Sequence, residues 1–142
     1  MSKGSIILRG IYATCLVLAT ITHVLFDVRY GVLLDGMEPL GYPVGVRFYW
    51  ASLTFLDPLA AILLFVRPRA GLILCATIIA TDVINNCWVA FHQSEFGPLS
   101  LDNSPTDQHQ SGGNIDLILQ VAFLNFVFAT VRYAWRGLQR NQ

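Results

Sequence analysis

Four apolar runs, over about 10–28, 47–66, 70–92 and 115–135, divide the charges of this chain into two unlike sets. Each run is near the ~20 residues that a helix needs to cross a hydrocarbon core. Lys3, Arg9, Arg67, Arg69, Arg132, Arg136 and Arg140 flank the run ends that must share one side. Only Arg29 and Arg47 flank the other. The acids are Asp27, Asp35, Glu38, Asp57, Asp82, Glu95, Asp102, Asp107 and Asp116, and none falls on the basic side. Short loops rich in Lys and Arg stay cytoplasmic, which places both termini inside. The expected fold is therefore all-α. It is a polytopic transmembrane four-helix bundle, N-in and C-in, forming a single domain over 1–142 in the cytoplasmic (inner) membrane.

The composition agrees with lipid as the solvent. Charged residues make up 13% of the chain, about half the ~25% usual in soluble domains. No basic patch interleaved with aromatics is present, so nucleic acid is not an expected partner. Lys3 and Arg9 before an apolar run also suit a secretory signal. The run continues into His23 and Asp27 without a small-x-small site, and it reads as an uncleaved first helix. Cys15, Cys75 and Cys87 form no CxxC and read as small packing residues rather than redox groups.

Turn residues mark the connections. Asp35-Gly36, Pro39, Gly41 and Pro43 lie between the first two spans, and Arg67-Pro68-Arg69 makes a sharp turn between the second and third. Tyr49 and Trp50 fit an interfacial aromatic belt. The long outer loop, 93–114, carries three acids and His109 but no Lys or Arg. Loops of that length are usually either functional or disordered, and two readings stand: a lid over an outward-facing pocket or a mobile solvated loop.

Polar residues gather in the outer half. His23 and Asp27 are four apart and share a helix face. Arg47, Trp50, Thr54 and Asp57 form one stripe, with Pro58 freeing a backbone carbonyl in the turn before it. Asp82, Asn85 and Asn86 occupy one arc, with Trp88 and His92 nearer the surface. Asp116 and Gln120 share a face on the fourth helix. The inner half has few such groups. A continuous lining is thus missing, which disfavours an open channel and favours a cup closed below.

Three chemistries suit such a cup. Metal binding would draw on His23, Asp27 and His92, and a divalent metal is the one candidate cofactor. Acid–base chemistry on a lipophilic substrate would use Asp57 and Asp82 as catalytic carboxyls. An acid kept from water can hold its proton at neutral pH and deliver it. Asn85 and Asn86 would orient substrate, while Trp50 and Trp88 would face hydrocarbon or a developing cation. Proton-coupled transport is the third. The strong charge bias argues against a dual-topology antiparallel dimer and leaves a parallel homo-oligomer open. Against all three stands a purely structural role, in which Asp57 or Asp82 pairs with Arg47 or an amide. Counted from the Arg67-Pro68-Arg69 turn, the two aspartates differ in height by only about 4.5 Å at ~1.5 Å per residue, so they are expected to be coupled.

Phe48-Tyr-Trp-Ala-Ser-Leu-Thr-Phe-Leu-Asp-Pro-Leu-Ala, Arg67-Pro-Arg-Ala-Gly-Leu and Thr81-Asp-Val-x-x-Asn-x-Trp88 resemble a family of small bacterial four-span membrane proteins to which no activity is attached. The layout also resembles the EXPERA group, which includes emopamil-binding protein and the sigma-2 receptor. The shared features are four spans, His23 then Asp27 at the outer end of the first, and an acid before proline in the second. That resemblance implies a buried acid pocket for amphiphilic amines or sterol-like molecules.

The expected function is a membrane protein whose outer-half pocket binds a small amphiphilic molecule or a cation. Its expected ligand-binding residues are His23, Asp27, Trp50, Thr54, Asn85, Asn86, Trp88, Asp116 and Gln120. Membrane lipid is the surrounding partner. A membrane enzyme, a transporter and a scaffold or partner subunit are the alternatives.

Overall fold

A computed structural model describes residues 3–31, 42–92 and 107–139, without the side chains of 30, 107–116 and 139. Four helices account for nearly all of it: α1 (Lys3–Tyr30), α2 (Val44–Val66), α3 (Pro68–Phe91) and α4 (Asp107–Gln139). Each contains a stretch long and apolar enough to cross a membrane, namely Lys3–Arg29, Val44–Val66, Pro68–Phe91 and Leu117–Leu138. These are the marks of a multi-pass membrane protein. Large apolar side chains face outward along all four helices, including Leu18, Phe55, Ile62, Ile84, Phe91 and Ile118. Water would tolerate no such surface, whereas acyl chains solvate it.

The helices run past the apolar stretches, because hydropathy marks the hydrocarbon part of a helix and not its ends. α1 starts at Lys3 instead of residue 10, and α4 starts at Asp107, inside the segment expected to be loop. The remainder of that loop, 93–106, lies outside the described residues, as do 32–41. α1 stops where Gly31 takes φ 87°, a left-handed conformation that suits glycine after a helix.

The α2–α3 hairpin turns on a single residue, Arg67. Pro68 opens α3 at a position whose N–H would have no helical partner. The same proline cannot donate to the Leu64 carbonyl four residues back. Arg9 supplies the missing donor. Its Nη1 donates to the Leu64 carbonyl at 2.9 Å and its Nε to the Ser5 carbonyl at 3.2 Å, and the side chain is 1% exposed. Arg9 is thus an interior residue rather than the flanking charge expected from its position. Gly71 permits the helices to close: a Cβ there would lie 2.3 Å from the Leu64 backbone nitrogen.

Neighbours in sequence pack side by side, α4 closes onto α1, and α1 also meets α3 across the centre. The Ser5 hydroxyl donates to the Ala134 carbonyl at 2.9 Å, which brings the start of α1 beside the end of α4. The core lies toward this end. Tyr12, Leu64, Cys75, Val127 and Ala134 are fully enclosed there. Tyr12 meets Phe123 and Phe126 edge-on and shares a hydrogen bond with Thr130. Cys15, Cys75 and Cys87 are free thiols.

Candidate functional site

At the other end, the helical period has grouped the polar residues, and packing turns the groups toward one another. From α1, Asp27 accepts a 2.7 Å hydrogen bond from the Thr54 hydroxyl of α2. One turn earlier on α1, His23 Nε2 stands 3.6 Å from Asp57 Oδ2, beyond hydrogen-bond range. Asp57 is 2% exposed. Its Oδ1 is buried and has no hydrogen-bond partner. Asp57 and Asp82, from α2 and α3, are near enough for their charges to interact.

Asn86 joins three helices. Its Oδ1 accepts from Trp50 Nε1 at 3.1 Å, while its Nδ2 donates to Asp82 Oδ1 at 3.2 Å and to Gln120 Oε1 at 2.9 Å. An indole nitrogen only donates, so Trp50 dictates which way the Asn86 amide faces. Both amide hydrogens are then aimed at acceptors. Above this junction, Trp50 packs edge-to-face on Phe26 and Tyr42, with ring centroids 6.2 and 5.4 Å away.

His23, Asp27, Trp50, Thr54, Asp57, Asp82, Asn86 and Gln120 are therefore brought into one neighbourhood by four helices. Others are not. Trp88 is 40% exposed, and His92 stacks on it at 4.4 Å with Nδ1 2.8 Å from the Trp88 carbonyl. This pair stands at the end of α3, apart from the acids. Asn85, beside Asn86 in the chain, has a buried Nδ2 that makes no hydrogen bond. The side chain of Asp116 is outside the described residues. The expected metal set of His23, Asp27 and His92 is not assembled: among the described residues no three His, Cys, Asp or Glu side chains are grouped to hold a metal ion. His92 is held at the helix end by Trp88, which keeps it from the other two.

Two further expectations change. Tyr49 and Trp50, expected only as interfacial aromatics, both turn toward α3. The Tyr49 hydroxyl lies 3.0 Å from Thr81 Oγ1. Thr81 gives its own proton to carbonyls of its helix, so Tyr49 is the donor of the pair. An indole N–H or phenol O–H that leaves water needs such a partner. A hollow among the described residues also lies away from these acids. It is an apolar groove of about 440 Å³ between α3 and α4, from Thr81 to Leu72 on one wall and from Phe128 to Trp135 on the other.

Compared with family models, curated proteins and solved structures, the chain finds no match. The site stands on its geometry alone.

Proposed function

We propose that the polar cluster binds a small cation or cationic amphiphile, with Asp57 and Asp82 acting together as the counter-charge. The observation that supports this reading is Asp57 itself: a carboxyl 2% exposed whose Oδ1 has no partner. A buried ion of this kind is unstable unless something neutralises it. His23, at 3.6 Å, is within ion-pair range of Oδ2 when protonated but makes no hydrogen bond to it, and Asp82 adds repulsion. A shared proton or a bound positive charge resolves both deficits. The rings of Trp50, Phe26 and Tyr42 supply an aromatic wall suited to an organic cation. We place the cluster in the outer half of an N-in, C-in bundle, facing away from the cytoplasm.

A second reading has its own support. Asn86 with its three partners, and Thr54 with Asp27, could simply bind helices together, as interhelical polar contacts do in membranes. One experiment separates the two. Tetraphenylphosphonium binding to the purified full chain is measured by calorimetry for wild type, Asp57→Asn and Asp82→Asn, with helicity followed by circular dichroism. The proposal expects each variant to keep its helicity and lose at least about tenfold in affinity, ~1.4 kcal/mol. Equal binding by all three proteins, or no binding by wild type, would leave the scaffold reading.

A further inference from the structure

We infer that the groove between α3 and α4 is a seat for one acyl chain of an anionic phospholipid, whose phosphate sits at Arg69 and Arg132. This site is separate from the polar cluster and does not depend on it. Beyond Leu72 and Ile73 the α3 wall is made of small side chains, among them Ala76, Thr77 and Ala80, against the large Phe128 and Trp135 of α4. Small residues opposite large ones leave a channel where a neighbouring helix would otherwise close. From Leu72 to Thr81 the groove runs nine residues along α3, roughly 13 Å at ~1.5 Å each. That length matches a stretch of acyl chain, and both walls are predominantly apolar.

Charge identifies which lipid. One turn below Leu72 and Ile73, on the same face of α3, stands Arg69. Arg132 lies on α4 between Phe128 and Trp135, four residues after one and three before the other, at the edge of the groove face. Both arginines are exposed. The acid nearest in sequence to the α3 wall, Asp82, follows Thr81 at the far end of the groove, 13 residues or roughly 20 Å along the helix from Arg69. A lipid whose tail enters the groove thus carries its phosphate to a basic mouth, and a guanidinium pairs well with phosphate. Basic pockets between membrane helices favour anionic headgroups, each Lys or Arg near the surface contributing about 1 kcal/mol. A zwitterionic lipid brings its own positive charge and gains less.

Trp135 lines the groove and reports on it. The full chain is reconstituted in nanodiscs of phosphatidylcholine containing a minor fraction of lipid with brominated acyl chains, either phosphatidylglycerol or phosphatidylcholine. Quenching is taken as the difference between wild type and Trp135→Phe. The brominated phosphatidylglycerol is expected to quench Trp135 at a several-fold lower fraction than brominated phosphatidylcholine. Arg69→Gln and Arg132→Gln should each weaken that preference about fivefold, the equivalent of ~1 kcal/mol, without touching the groove walls. Ala76→Leu should reduce quenching by both lipids, with circular dichroism showing the helices intact. Equal quenching by the two lipids in wild type overturns the proposal. A preference that survives both arginine substitutions does the same. So does quenching that falls as protein per disc rises, which would show a second copy of the chain in the groove.

Discussion

Arg9 shows how a single side chain can be misjudged from its neighbours in sequence. Beside Lys3 it reads as a cytoplasmic anchor, yet it is buried and holds the carbonyl that Pro68 leaves without a donor. The end of a helix also carries partial negative charge, which a cation offsets. Arg9→Met keeps the length and removes the donors. It should destabilise the protein by about 1–3 kcal/mol, the cost of stranding a buried acceptor, measured as a lowered midpoint of detergent-induced unfolding. Ordinary interhelical hydrogen bonds in membranes average nearer ~0.6 kcal/mol, so a loss no greater than that would mean the charge contributes nothing extra. Asp57 poses the opposite case. Its membrane depth and its proline neighbour single it out in the sequence, but its unpartnered oxygen is visible only once α1 and α3 are packed around it.

Among the elements, the α2–α3 hairpin is the most constrained. A one-residue connection holds two spans, and Gly71 lets their backbones approach. Gly71→Ala would normally favour a helix by about 1 kcal/mol. Here the methyl group would meet backbone atoms of Leu63 and Leu64 at 2.3–2.6 Å, which a rotamer change cannot relieve. The steric term should win, giving a net loss of roughly 1–3 kcal/mol, typical of overpacking. The same substitution at Gly10, where nothing lies within 4 Å, should be neutral or mildly stabilising. Unfolding both variants side by side checks the pair, and equal behaviour would refute the close approach. Helix faces behaved more predictably. His23 with Asp27, Trp50 with Thr54 and Asp57, and Asp82 with Asn86 are grouped by the helical period alone, and each group does face another helix.

For the whole molecule, the charge bias predicts orientation in the membrane. In a background with Cys15, Cys75 and Cys87 replaced by alanine, single cysteines at Ser2, Ala70 and Gln142 should react only from the cytoplasm. One at Ser100 should react only from outside. Labelling from the wrong side at any of the four would break the positive-inside reading. Packing already brings the basic ends of all four helices together through the contacts of Ser5 with Ala134 and of Arg9 with Leu64, so the bundle itself is polarised whichever way it inserts.

The number of spans, their all-helical class and the angular grouping of their polar residues were decided by sequence alone. Backbone groups in lipid must be satisfied within each helix, and a 3.6-residue period then sets which side chains share a face. Which face meets which was decided by tertiary structure. In lipid, apolar surface gives helices no strong reason to prefer one neighbour, so small residues and interhelical hydrogen bonds select the arrangement. No periodicity foretells that Asn86 serves Trp50, Asp82 and Gln120 at once, or that His92 stays with Trp88 away from the acids. Nor does it foretell the hollow between α3 and α4, since a groove depends on the distance between two walls and each span encodes only its own.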